Sequence, residues 1–199
     1  MVYYIADLHF GHTNAIKFDN RPFENIHMHD FTISTLWNET VKPDDDVYIL
    51  GDISWYSADK TVDIFNNLNG VKHLIIGNHD HKLLRNQNVR DLFVEITDYK
   101  EIKDENKNVI LSHYPIPSFN KHYYGAYHFY GHVHNSEEWR QMELVKRQMI
   151  EKLNKPCNMI NVGLMMPYMN YEPKTFKDIV SGYEEHKPIL DRGLRCSKS

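Results

Sequence analysis

Aspartate, histidine and asparagine residues occur in five short clusters, and their side chains are of the kinds that bind divalent metal ions. Each cluster directly follows a run of β-branched or aromatic residues that predicts a strand. The clusters are Asp7-Leu-His9, Gly51-Asp52, Gly77-Asn78-His79-Asp80, Ser112-His113 and Gly131-His132-Val-His134. Because loops at strand ends share one rim of a sheet, residues distant in sequence can converge there on one pocket.

The donor types limit which metals the clusters could bind. Carboxylate, imidazole and amide oxygen without thiolate suit manganese, iron, zinc, nickel or cobalt rather than copper(I) or an iron–sulfur cluster. The number of candidate ligands exceeds the four that one zinc ion needs, which predicts two ions. Two metals about 3.5–4 Å apart can share a carboxylate and hold a hydroxide for in-line attack on phosphorus. Asp52, the lone acid of its cluster, is the predicted shared carboxylate.

Local geometry can bring neighbouring ligands to one side. Side chains alternate along an extended segment, so Asp7 and His9 are predicted to point the same way, as are the two histidines of the last cluster. Gly51 and Gly131 each precede a candidate ligand. They predict tight turns where the backbone approaches an ion.

Taken singly, each residue has a structural interpretation. An aspartate can cap a helix or form a turn, a lone histidine is more often a hydrogen-bonded structural residue, and Asn78 after a glycine can be a left-handed turn. Their joint occurrence after strands favours the metal site. Two alternatives stay open: His12 and Asn14 could contact substrate or support the site, and Arg21 could bind phosphate or form a structural ion pair.

The ordered series D-x-H, G-D, G-N-H-D, S-H and G-H-x-H resembles the calcineurin-like metallophosphoesterase superfamily. It is most similar to the small bacterial and phage-type members, which open D-L-H-F-G-H and continue with a stretch like residues 18–23. The motifs run from residue 7 to residue 134. The resemblance implies an α/β fold, specifically a four-layer αββα sandwich of two mixed sheets flanked by helices. It also implies an enzyme that hydrolyses phosphoric esters with metal ions.

The same resemblance implies a role for each residue. It gives three ligands to a first ion, three to a second and one to both: Asp7, His9 and His134; Asn78, His113 and His132; and Asp52. His79 would be the general acid for the leaving alkoxide. Asp80 would hydrogen-bond the far ring nitrogen of His79 and so set its tautomer. The expected cofactors are two divalent ions, manganese first, with iron, zinc, nickel or cobalt as alternatives.

Two branches of the superfamily fit less well. Ser/Thr phosphatases and bis-nucleoside tetraphosphatases have G-D-x-V-D-R-G, whose arginine grips phosphate, whereas Asp52 is followed by Ile53, Ser54 and Trp55. Purple acid phosphatases place a tyrosine ligand at the position of Trp55. The missing arginine favours phosphodiesters, with nucleotides or nucleic acid as candidate substrates. A phosphomonoesterase is the alternative.

A protein-interaction scaffold that keeps the fold but has lost catalysis is a hypothesis of another class. Such a scaffold would lack the general acid or some of the ligands, yet every predicted ligand is present together with His79. The enzyme is therefore favoured. The sequence indicates no obligate protein partner.

The elements that must position these clusters follow from hydrophobic periodicity. Strands are predicted at 2–6, 47–50, 71–76, 109–112, 127–130 and 157–162, with a hairpin over 99–113. Helices are predicted at 29–41, 57–68, 80–92, 136–154 and 175–185. Alternating strands and helices predict an α/β architecture with its ligands in the loops after strands.

Length and composition favour one domain over residues 1–186 with a polar tail at 187–199. The net charge of −4 argues against an overall basic field for nucleic acid, although not against a local patch. Cys157 and Cys196 form neither a disulfide framework nor a zinc spacing, which suits a reducing compartment. No stretch approaches the roughly 18 apolar residues of a membrane span, and the first residues do not resemble a secretory signal. A cytoplasmic protein without membrane contact is expected.

Overall fold

Two β-sheets of mixed strand direction form the centre of the protein in a computed structural model that describes residues 1–188. The first sheet contains β1 (Val2–Ile5), β2 (Asp46–Ile49), β3 (Val71–Ile75), β4 (Glu95–Thr97) and β9 (Lys174–Thr175). The second contains β5 (Tyr99–Asp104), β6 (Lys107–Ser112), β7 (Tyr127–Tyr130) and β8 (Asn158–Asn161). Among the strands of residues 1–188, only the β1–β9 and β5–β6 pairs are antiparallel.

Strand direction explains where the clusters meet. β1, β2 and β3 are parallel neighbours, so their carboxyl ends lie at one edge of the first sheet. β6 and β7 are parallel neighbours in the second sheet. Beyond β1 the two sheets are joined, because Ala6 donates to the Val162 carbonyl at 2.9 Å and its own carbonyl accepts from Leu164 at 3.0 Å. The ends of both sets of strands therefore face one region.

The inner faces of the sheets pack against each other through aromatic side chains. The ring of Tyr4 in the first sheet meets Phe129 of the second edge-on, with 4.9 Å between centroids. Both side chains are completely buried. Burial of such large apolar surfaces is the main force that holds the two sheets together.

Helices flank the sheets: α1 (Thr13–Phe18), α2 (Ile26–Thr40), α3 (Ala58–Asn66), α4 (Gln87–Arg90), α5 (Glu137–Leu153) and α6 (Phe176–His186). Five begin at a side chain that caps a backbone N–H: Asn25, Ser57, Asn86, Ser136 and Thr175. Such caps satisfy donors that the helix itself cannot. The expected α/β fold of two mixed sheets flanked by helices is confirmed.

The prediction of one continuous helix at 80–92 is wrong, because the segment forms two short helices. A 3₁₀ helix occupies Asp80–Arg85 and α4 follows it, because Asn86 adopts an extended backbone and caps the second segment through Asn88 N–H. The sequence interpretation also missed α1, β4 and β9, which are short elements with weak periodicity.

Residues 189–199 lie outside the described residues, and most of the predicted tail at 187–199 falls there together with Cys196. The limit of the predicted domain at residue 186 stays a prediction. Cys157 is a free, buried thiol. Among the helices within residues 1–188, none combines the length and apolar character that crossing a membrane requires.

Candidate metal centre

The three side chains predicted for the first ion lie together. Asp7, His9 and His134 present ligand atoms within 4.8 Å of one another. The Nε2 atoms of the two histidines are 3.0 Å apart, and His134 Nε2 is 3.9 Å from Asp7 Oδ1. One carboxylate and two imidazoles thus converge after β1 and β7.

The three side chains predicted for the second ion also converge. Asn78 Oδ1 lies 2.9 Å from His113 Nε2 and 3.0 Å from His132 Nδ1. These residues follow β3, β6 and β7, so both sheets contribute to the group.

Asp52 lies between the two groups, and its two oxygens face different sides. Its Oδ2 is 3.8 Å from His9 Nε2, and its Oδ1 is 3.7 Å from His113 Nε2. Asp7 also reaches the second side, since it shares a set of ligand atoms within 4.8 Å with Asp52 and His113. The carboxylates of Asp7 and Asp52 therefore lie between the two groups and have oxygens near both.

Burial shows that this donor set fits cations. Asp7 is 0% exposed and Asp52 only 2%, yet neither carboxylate has a lysine or arginine ion pair within residues 1–188. Burial raises the pKa of Asp7, which measures the cost of a buried negative charge without a cation. Burial also lowers the pKa of His9 and of His132, and the neutral imidazole is the form that binds metal. Divalent cations would compensate the carboxylates and use the imidazole lone pairs.

Hydrogen bonds on the far side of two rings set which nitrogen faces the centre. His113 Nδ1 lies 2.7 Å from the Leu50 carbonyl oxygen, which can only accept, so Nδ1 carries the proton and Nε2 is free to bind. His134 Nδ1 lies 2.7 Å from Asp19 Oδ1 and is fixed in the same way. Both Nε2 atoms face the other ligands.

Arg21 holds Asp19 and does not reach the centre. It donates to Asp19 through Nε at 2.8 Å and Nη2 at 2.7 Å, and to the carbonyls of Asp7 and Leu8 at 3.2 and 3.3 Å. Arg21 is buried, so the structural ion pair is the correct alternative and a phosphate contact is not. Asp19 was missed, because an aspartate in a loop equally indicates a turn.

The backbone at the ligands differs from the extended form that was predicted. β1 ends at Ile5, and Asp7, His9, Asp52, His132 and His134 have φ angles between 49° and 70°. Five of the candidate ligands thus adopt the left-handed region, which is uncommon for residues other than glycine. The alternation argument for D-x-H and H-x-H was therefore wrong, even though the side chains converge. Such strain persists where surrounding structure enforces it, and it clusters at functional sites.

The two predicted glycine turns occur at close approaches. A Cβ atom on Gly131 would lie 2.8 Å from Asp7 Oδ2, and one on Gly51 would lie 2.6 Å from His113 Nδ1. Gly51 also has a φ of 84°. Any larger residue at either position would displace a candidate ligand.

His79 lies at the open side of the centre. Its side chain is exposed, its backbone N–H donates to Asp52 Oδ1 at 3.0 Å, and its ring is 4.3 Å from that of Trp55. A proton donor at this position is accessible to a bound molecule.

The expected hydrogen bond between Asp80 and the His79 ring is wrong. The Asp80 carboxylate accepts from the backbone N–H groups of Asp52, Ile53 and Gly77 at 3.0, 2.9 and 2.8 Å. Burial raises the pKa of Asp80 to about 6, against the opposing effect of those N–H groups. Asp80 therefore ties the loop after β2 to the loop after β3 and positions Asp52 rather than His79.

His12 packs against Trp55, with ring centroids 4.0 Å apart and planes within 2° of parallel. This contact places His12 in support of an aromatic side chain at the edge of the centre. Asn14 is exposed within α1.

Comparison with known proteins places the chain in a family. It is 31% identical over 191 residues to an uncharacterized protein of Methanocaldococcus jannaschii, covering 94% of both chains. It is 33% identical over 129 residues to the gene 66 protein of Mycobacterium phage D29, covering 57% of this chain and 63% of the phage protein. The chain belongs to the family of the Methanocaldococcus protein.

A solved structure shares the fold. A protein of unknown function from Aquifex aeolicus is 28% identical, with a TM-score of 0.59, over 91% of this chain and 98% of that one. No protein-family model matches the chain. The similarity to the Aquifex protein extends over nearly the whole chain, so the fold as a whole is shared.

Proposed function

We propose that this protein is a phosphoesterase that uses two divalent metal ions. The observation that carries the proposal is the convergence of two ligand groups on either side of Asp52, with His79 exposed beside them. Asp7, His9 and His134 would hold one ion, and a second group would hold the other: Asn78, His113 and His132. Asp52 would contact both ions. When bound, divalent cations supply Lewis-acid activation of water and of phosphoryl oxygens.

The residues of the chain itself supply the remaining requirements. His79 can give a proton to the leaving alkoxide, and its exposure beside Asn78 puts it within reach of a bound ester. Asp80 keeps Asp52 in place through backbone N–H groups. Manganese is the proposed metal, since the carboxylate and amide oxygens suit it, with iron, zinc, nickel or cobalt as the alternatives.

Phosphodiesters are the proposed substrates, including those of nucleotides or nucleic acid. Arg21 is buried in its ion pair with Asp19, so it does not bind the doubly charged phosphate of a monoester. No obligate protein partner and a cytoplasmic location remain parts of the proposal.

Hydrolysis of bis-p-nitrophenyl phosphate and of p-nitrophenyl phosphate, with and without added Mn²⁺, tests the proposal. We expect turnover that a chelator abolishes and that favours the diester. An absence of turnover with Mn²⁺, Ni²⁺, Co²⁺ and Zn²⁺ alike would contradict it and favour a non-catalytic scaffold.

His79→Ala tests the acid. Turnover of a methyl phosphodiester, whose leaving group is poor, should fall about 10²- to 10⁴-fold. The matched control is His27→Ala, an exposed histidine of α2 outside the centre. Undiminished turnover of the methyl ester by the His79 variant would remove this role.

A further inference from the structure

A cavity of about 670 Å³ opens beside the candidate metal centre on the side of His79. Its lining begins at the predicted ligand Asn78 and at His79. It continues over Trp55 to two cationic side chains, Lys82 and Arg85. Neither the aromatic ring nor the cations have a part in the chemistry proposed above.

Trp55 presents a fixed aromatic surface to this cavity. Its backbone N–H donates to the Phe10 carbonyl at 2.7 Å, and its indole is stacked on His12. The indole also lies 4.3 Å from the His79 ring and 4.6 Å from the His9 ring, and it remains 37% exposed. A rigid, partly open indole is a platform on which a planar ring can stack at little entropic cost.

Lys82 and Arg85 give the cavity a local positive charge. Both are exposed, and within the described part of the chain neither has an ion pair or a side-chain hydrogen bond. The 3₁₀ helix that carries them is anchored by Leu83 and Leu84, which are buried. Two unpaired cations at one cavity contrast with the net charge of −4 of the whole chain. They indicate an anionic ligand.

We infer that this cavity, which we call the Trp55 cleft, binds single-stranded nucleic acid. It would hold the nucleotides on the side of the leaving oxygen of the cleaved phosphodiester. The inference rests on the proposed function, because His79 would protonate the leaving oxygen and the leaving group must then lie on its side. A nucleotide on that side offers a base to Trp55 and its next phosphate to Lys82 and Arg85. The base must be unpaired to stack there, which excludes an intact duplex.

Binding measured without turnover tests the cleft separately from catalysis. Fluorescence anisotropy of a labelled dT hexamer, with metal removed by chelation, gives the Kd of the full chain. Trp55→Ala should raise Kd about 5- to 150-fold, the equivalent of one stacked base. The double variant Lys82→Gln/Arg85→Gln should weaken binding and make the slope of log K against log salt shallower by about 1.4, for two lost phosphate contacts.

The double variant Arg90→Gln/Lys177→Gln is the matched control, because it removes two exposed cations outside the cleft. It should leave both the Kd and the salt slope close to those of the wild type. A hairpin duplex of equal length should bind more weakly than the hexamer.

Catalysis gives a second readout. The ratio of kcat/KM for the hexamer to kcat/KM for bis-p-nitrophenyl phosphate should fall about 10-fold or more in the Lys82/Arg85 variant and stay constant in the control. Wild-type Kd values in both cleft variants, or tighter binding of the duplex, would overturn the inference. If the wild type hydrolyses neither substrate, the proposed function fails, while the anisotropy result still decides whether the cleft binds the strand.

Discussion

His113 and His134 have corresponding positions in the two groups of the candidate metal centre, but different partners orient them. His113 donates to the backbone carbonyl of Leu50, directly after β2, so its ring position follows from strand pairing. His134 donates to the side chain of Asp19, which comes from the loop after α1. The second group therefore depends on the sheet, whereas the first depends on an additional set of side chains.

That additional set is a buried network. Arg21 pairs with Asp19 and lies 2.8 Å from His29 Nε2, while His29 Nδ1 lies 2.8 Å from Asp30 Oδ1. Tyr56 completes it by donating to Asp30 Oδ2 at 2.8 Å. A buried charge that loses its partner is costly, so each member stabilises the next. The comparison teaches that the first group can be weakened through side chains of this network, whereas the orientation of His113 in the second group rests on a backbone carbonyl.

Asp52→Asn should have the largest effect, because Asp52 faces both groups. The amide loses one negative charge and one oxygen donor, so turnover of bis-p-nitrophenyl phosphate should fall by about three orders of magnitude. Elemental analysis should find fewer than two bound ions. Asp63→Asn, an exposed residue of α3, is the control and should match the wild type in both measurements. Two tightly bound ions in the Asp52 variant would show that the groups are independent.

Metal removal should have the largest effect on thermal stability. An ion present at a hundred times its Kd stabilises the folded chain by about 2.7 kcal/mol. For a chain of this length that corresponds to a Tm about 5–11 °C higher with Mn²⁺ than with chelator. Differential scanning fluorimetry measures the shift, and Ca²⁺ at equal concentration tests whether any divalent ion suffices. A Tm that does not respond to any divalent metal would count against both groups.

The ligand clusters could be predicted from sequence because they carry their own chemistry and follow strands whose ends must meet. The strands could be predicted too, because they are rich in residues of high strand propensity, such as the valine, tyrosine and isoleucine of β1. The partner of His134 could not be predicted, since 115 positions separate it from Asp19 and an aspartate in a loop equally indicates a turn. The role of Asp80 was missed for a related reason. Its carboxylate binds backbone N–H groups, which every residue except proline has, so no residue type in the sequence indicates these partners.

The left-handed backbone at the ligands was also beyond sequence reasoning. Aspartate and histidine adopt such φ angles more often than most residues other than glycine, but nothing in the sequence marks Asp7, His9 and His134 as the positions that do so. The rule that candidate ligands directly follow predicted strands gives their positions, but it does not predict their backbone conformation.

Asp19→Asn should weaken the first group selectively. The amide can still accept from His134 but no longer carries the charge that pairs with Arg21, and loss of such support costs about 10- to 100-fold in metal affinity. Titration with Mn²⁺ followed by elemental analysis should show one ion retained at low concentration and the other lost. Asp63→Asn again serves as control. Equal loss of both ions would mean that the two groups are not held separately.

Tyr56→Phe should have the smallest effect and marks how far the network extends. Burial, with the Asp30 carboxylate as a further cause, raises the pKa of Tyr56 to about 12, so its hydroxyl is a donor at neutral pH. Its loss should cost about 1 kcal/mol and lower the Tm by about 2–4 °C. Mn²⁺ affinity should stay within about twofold, a change of less than 0.5 kcal/mol, because Asp30 keeps its contacts to His29 and to the Gly11 N–H at 3.2 Å. A loss of affinity equal to that of Asp19→Asn would show that the network acts as one unit, and His134 would then depend on α2 as strongly as His113 depends on β2.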